Sequence, residues 1–251
     1  MNKLQSPIDI NHYDELQLYF GRDFTVTDTI TIHQPTIGEI VDWGEMRYYS
    51  MVSTLCAIPS DMKSLLADMG IDYEEISDFQ LFCLLSRNFP QEDTSILFGS
   101  LDFSAMQVVQ EGEAFLLQSP DGGVRIDEII YLRIAGYLRK LHGFTPKVEK
   151  AATRTVKKIL IQLDRDKRRK SGGETVQSHL KPLISAMMRY PGFKYNLREL
   201  GRCGLYEFMD SINGAQVYVQ SVALLQGAYS GMVDTSKIDK NNFNWMRDGH
   251  S

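Results

Sequence analysis

What this 251-residue chain lacks narrows its function first. It has no G-x-x-x-x-G-K-[ST] phosphate loop, no G-x-G-x-x-G, no G-x-S-x-G nucleophile elbow and no H-E-x-x-H metal pair. The expectation is therefore a protein that is not an enzyme, with no catalytic residues, no cofactor and no metal. Its five histidines (His12, His33, His142, His179, His250) share no ligand spacing with one another or with the cysteines. Cysteine is scarce. Cys56, Cys83 and Cys203 are odd in number and scattered among apolar neighbours, which suits buried thiols in a reducing compartment better than a disulfide framework. No window approaches the roughly 18–20 apolar residues of a membrane span. The opening MNKLQSPIDINHYDEL lacks the apolar core of a secretion signal. The chain reads as soluble and cytoplasmic at synthesis, without repeats or low-complexity tracts.

What is present begins with charge. The stretch KVEKAATRTVKKILIQLDRDKRRK, residues 147–170, carries ten bases and three acids, +7, in a chain whose total is −5, so the remainder stands at −12. An acidic protein of pI about 5.6 has no general affinity for nucleic acid. Any such binding falls to this stretch, which also lacks the aromatic residues that stack on single strands.

Apolar spacing and turn chemistry predict a mainly α protein with a small β element, an α+β fold. The N-terminal arm ends in a hairpin made of Leu16–Phe20 and Phe24–His33, with Gly21-Arg22-Asp23 as the turn and a break in alternation at Asp28. Thr36 and Glu39 form a capping box for a helix reaching Cys56. Ser60 opens a short helix that Gly70 stops, and Asp72–Asn88 continues as a strongly apolar helix ended by Pro90. Residues 91–126 read as a β insertion. It contains a strand or the end of a turn at Phe103–Val109, the segment Glu113–Gln118, a turn at Ser119–Gly123 and a return strand at Val124–Ile126, with room to pair with the first hairpin. Asp127 caps a helix that Gly143 stops. After the basic helix, Ser171-Gly172-Gly173-Glu174 is a flexible break. Helices then follow at Ser178–Tyr190, from Asn196 with Glu199, and at Leu205–Tyr229, with Trp245-Met246 docking back on the body. The organisation is an arm and hairpin (1–34), an α-rich body (35–170) and a C-terminal helical part (174–251).

Two clusters bear on function. The acids of Asp72-Tyr73-Glu74-Glu75-Ile76-Ser77-Asp78 suit a cation site or paired carboxylates. They suit better the N-terminus of a helix, whose free N–H groups and dipole stabilise negative charge. Asp234–Asn242 is only a loose match to a calcium loop, without its central glycine and final glutamate. In the basic stretch, Val148, Ala152, Val156, Ile159 and Leu163 fall at helical spacing. This predicts a helix over Lys147–Leu163 packed by its apolar stripe with bases to solvent, followed by a projecting basic linker, Asp164–Gly173. The candidate partner-binding residues are Lys157, Lys158, Arg165, Lys167, Arg168, Arg169 and Lys170, together with the hairpin edge.

Four passages give a family resemblance. They are LYFGRDFTVTDTITIHQPTIGEIVDWGE, YYSMVSTLCAIPSDMKSLLADMGIDYEEISDFQLFCLLSRNFP, HGFTPKVEKAATRTVKKILIQLDR and LLQGAYSGMVDTSKIDKNNFNWM. Together they resemble proteins encoded in the tail-morphogenesis region of tailed bacteriophages and prophages of Gram-positive bacteria. The resemblance implies a tail assembly chaperone or a minor tail or baseplate protein, acting in the host cytoplasm during assembly or carried in the virion tail. It implies tube, tape-measure or baseplate proteins, or further copies of itself, as partners, and no catalytic residues. The alternative is a nucleic-acid-binding or regulatory module using residues 157–170.

Overall fold

A computed structural model describes residues 13–112, 114–171 and 177–247; most of the N-terminal arm and the break after Ser171 lie outside them. The elements run α1 (Glu15–Tyr19), β1 (Phe24–Thr27), β2 (Ile30–Ile32), α2 (Ile37–Trp43), α3 (Glu45–Leu55), α4 (Lys63–Asp68), α5 (Asp78–Leu85), α6 (Gln91–Phe98), β3 (Gln107–Glu111), β4 (Ala114–Gln118), β5 (Arg125–Ile126), α7 (Glu128–His142), α8 (Arg154–Ser171), α9 (Leu180–Arg189), α10 (Leu197–Leu200) and α11 (Leu205–Tyr229). The protein is mainly α with two small antiparallel sheets, β1-β2 and β3-β4-β5. Among the described residues the two sheets do not pair with each other, contrary to one expectation from the sequence.

The core is built around α7, which Asp127 caps by accepting from the Ile130 N–H and which Gly143 ends in a left-handed conformation. Its buried residues Tyr131, Ile134, Tyr137, Leu138 and Leu141 meet α5, α11, β1 and β5. An aromatic cluster fills the centre, with Phe82 stacked on Tyr131 at 4.6 Å and edge-on to Phe103 at 5.6 Å. Such contacts are how a few large rings supply much of a core's apolar burial. At the end of α7, His142 lies among the rings of Tyr48, Tyr49 and Phe144. Its Nδ1 is 2.7 Å from the Leu138 carbonyl, which can only accept, so Nδ1 carries the proton and Nε2 accepts from the Tyr48 hydroxyl at 2.8 Å. Burial pushes the His142 pKa down to about 4.

Several boundaries differ from the sequence reading, each for a local reason. Residues 15–19 form α1 because Asp14 accepts from the Leu16 and Gln17 N–H groups, so Gly21-Arg22-Asp23 is not the hairpin turn. The turn lies at Asp28-Thr29, where the alternation breaks, and the register slips between Thr25 and Thr27. The hairpin's edges are partly taken, since Arg133 donates to the Val26 carbonyl and the His33 N–H to the Leu97 carbonyl. Gly44, at φ 101°, divides the expected 36–56 helix into α2 and α3. Ser77 and Gln80 form a capping box that starts α5 at Asp78 rather than at residue 72. Residues 91–98, expected within the β insertion, are α6.

The C-terminal part is stitched to the N-terminal one by backbone. The Ile37 N–H donates to the Cys203 carbonyl (2.9 Å), Gly38 to Gly201 (2.9 Å) and Leu205 to Pro35 (3.2 Å). A Cβ on Gly38 would sit 2.5 Å from the Gly201 oxygen. Gly38 has no positive φ, so it is this close approach that requires glycine there. The tail folds back along α11, with Ser221 donating to the Asn242 carbonyl. Of Trp245 and Met246, expected to dock, Met246 stays largely exposed, while Trp245 is about half buried and meets the edge of Tyr218. Asp234 and Asp239 of the loose calcium-loop match serve as caps of short turns.

Candidate interaction surface

The basic helix docks the opposite way round from the sequence expectation. Helix geometry, at 3.6 residues per turn, places Lys157, Ile161, Asp164 and Arg168 on one face and Val156, Ile159 and Leu163 on the other. The first face meets α4 and the loop before α5. The second faces out, with Val156, Ile159 and Leu163 at 40, 54 and 60% exposure. Val148 and Ala152 are also exposed, and they precede the helix, which starts only at Arg154. The stretch 164–171, expected as a linker, continues α8.

The reason lies in the surface beneath, which sets two carboxylates and a serine against α8 around the contact that Ile161 makes with the core. Lys157 Nζ bridges Asp72 (2.5 Å) and Glu74 (2.7 Å) and lies over the Tyr73 ring at 5.1 Å. Asp164 Oδ2 accepts from the Ser64 N–H (2.9 Å) and hydroxyl (2.6 Å). Nearby, the buried Lys63 pairs with Glu149 at 2.8 Å, and the Ala151 N–H donates to Glu74. The Lys157 hydrogen bond holds Asp72 below the usual carboxylate range. Glu74 is lowered first by the Ala151 N–H and then by Lys157, and Glu149 by Lys63. Lys157 itself is raised to about 12 by the same two carboxylates. The helix N-terminus reading holds only at the end of the acidic cluster, where Asp78 stands in the first turn of α5 behind the Ser77 cap. The cluster's Asp72 and Glu74 form the socket for Lys157, and its Asp78 pairs with Arg139 at 3.2 Å.

The candidate residues therefore divide. Lys157 is clasped as described. Arg165 pairs with Asp68, Arg168 with Asp164 at 3.4 Å, and Arg169 with Asp166 at 3.3 Å. Lys158, Lys167 and Lys170 are exposed, and no ion pair to Lys158 or Lys170 occurs among the described residues. The apolar stripe they flank was legible as a stripe, but not as an outward one. Spacing gives the faces of a helix and is silent on which neighbour each face meets.

A second surface lies beside this clasp. Ile71, Ile76, Leu84, Val108 and Phe115 line a groove of about 510 Å³ between the start of α5 and the β3-β4 hairpin, with Asp72 and Glu75 among its residues. Leu84, Val108 and Phe115 are among the exposed large apolar side chains. Among the described residues no group of three or more His, Cys, Asp or Glu could hold a metal ion, and no helix is long and apolar enough to cross a membrane. Comparison with family models, with curated proteins and with solved structures finds no match.

The clasp yields a local prediction. Lys157→Ala should loosen the first turns of α8 and raise backbone hydrogen exchange across Thr155–Ile161 by about tenfold, with global melting little changed. Unchanged exchange there would mean that Ile161 and Asp164 suffice.

Proposed function

We propose that this protein acts by protein–protein binding in bacteriophage tail or baseplate morphogenesis, as an assembly chaperone or a minor virion component. The phage assignment rests on the resemblance of the four passages quoted above. The binding mode rests on one observation: α8 is held to the body by Lys157, Ile161 and Asp164 and turns Val156, Ile159 and Leu163 to solvent between bases. An apolar stripe displayed in this way, at i, i+3 and i+7, has the form of a helix-in-groove or helix–helix anchor. Its basic flanks favour an acidic partner surface and would speed encounter by charge. On this reading the protein works in the host cytoplasm during assembly, and a minor component would stay in the virion tail.

The nucleic-acid alternative takes second place. Four of the seven candidate bases (Lys157, Arg165, Arg168 and Arg169) are already paired with carboxylates of the same chain. Phosphate contacts through them would have to break those pairs. The test is affinity capture of the tagged chain from cells producing phage particles. The expected result is recovery of a tube, tape-measure or baseplate protein, reduced by Ile159→Glu. Presence in purified particles would mark a virion component and absence a chaperone. Capture of nucleic acid without any phage protein would overturn the reading.

A further inference from the structure

We infer that two copies of this chain form a two-fold dimer in which the α8 stripe of each copy seats in the groove of the other. The inference concerns self-association and does not depend on the phage assignment; where a phage partner takes the stripe, it does so by displacing the second copy. Both patches are apolar and open to solvent: Val156, Ile159 and Leu163 on one side, and Leu84, Val108 and Phe115 beside the half-buried Ile71 on the other. They are neighbours, because Asp72 belongs to the groove and is also the carboxylate that Lys157 of α8 grips.

Charge chooses the occupant. Helix α8 holds eight bases and two acids, +6, which leaves −11 on the rest of a chain totalling −5. Stripe against stripe would stack two +6 helices and is repulsive. Stripe against groove sets Lys158 and Lys170 against a body of opposite sign, where Glu75 at the groove stands clear of the Lys157 clasp. An anionic membrane is a poorer fit for the stripe. It would meet the −11 body as well, and the stripe carries no aromatic anchor. Three aliphatic side chains supply only a fraction of the roughly 1,200–2,000 Å² that a specific interface buries. Reciprocal pairing about a two-fold axis uses each patch twice and closes the assembly.

The experiment is sedimentation equilibrium of the purified full chain alone from about 1 to 100 µM. The expected species is twice the 28.6 kDa chain. Leu163→Glu in the stripe and Phe115→Glu in the groove should each weaken dimerisation at least about tenfold, with circular dichroism unchanged because both side chains are exposed and melting lowered only at concentrations where the wild type is dimeric. Mixing the two variants restores one intact stripe–groove contact, so the mixture should dimerise better than either alone. Should Phe115→Glu perturb folding, Leu84→Glu tests the same groove. A wild-type chain monomeric throughout would overturn the dimer and leave the stripe to a different protein. A groove variant that dimerises like wild type, or a mixture no better than its parts, would overturn the stripe–groove pairing.

Discussion

Gly38→Ala should destabilise the protein by about 1–3 kcal/mol, although alanine is the better helix former by about 1 kcal/mol. The new Cβ would sit 2.5 Å from the Gly201 carbonyl oxygen, a backbone atom that cannot swing aside. Overpacking of this kind costs about 1–3 kcal/mol, and losing the Gly38–Gly201 hydrogen bond adds about 1. These terms outweigh the gain in helix propensity. The matched control is Gly214→Ala in α11, where no atom lies within 4 Å of the added Cβ. There the propensity term acts unopposed, and a gain of about 0.5–1 kcal/mol is expected. Urea unfolding of the two variants should move the midpoint in opposite directions. Equal shifts would show that the 35–38 to 201–205 seam is slack.

The second large effect is in acid. His142 has its pKa depressed to about 4 by burial, against 6.5 for an ordinary histidine. The folded state therefore favours the neutral ring, and the unfolded state binds the extra proton. Stability from this group is complete above about pH 6.5 and declines as pH falls toward 4, by about 3 kcal/mol in all. His142→Phe should lower stability at pH 7, because the Tyr48 hydroxyl loses its acceptor. It should also flatten the fall between pH 6.5 and 4. Parallel pH profiles for the two proteins would refute the linkage. The carboxylates of the α8 clasp act in a different window. Asp72, Glu74 and Glu149 are depressed, so their contribution is present above the ordinary carboxylate range and lost only as pH drops below it. Release of α8 should thus follow, rather than accompany, the histidine step.

Much of the helical content was legible because its signals are local. The Thr36–Glu39 and Asn196–Glu199 capping boxes, the Asp127 cap and the Gly70 and Gly143 stops all stand where the sequence places them. The β3-β4-β5 sheet was legible mainly through its Ser119–Gly123 turn. The failures arose where a distant partner decides. Leu16–Phe20 has strand-like composition, yet Asp14 makes it helical and Leu18 buries itself in the body. The orientation of α8 depends on Ser64, Asp72 and Glu74, which lie 83 to 100 residues from their partners. Opposite charge on the acidic cluster and the basic helix was the one available hint of that pairing.

The seam between residues 35–38 and 201–205 also bears on the order of synthesis. Its hydrogen bonds join residues some 165 positions apart, so loop closure makes this a late and slow contact in folding. On the ribosome, the backbone groups at the start of α2 wait unpaired until α10 and the start of α11 have emerged. A chain stopped short of Gly201 would leave the Ile37 and Gly38 N–H groups without the acceptors they use in the finished protein, and the Pro35 carbonyl without its donor.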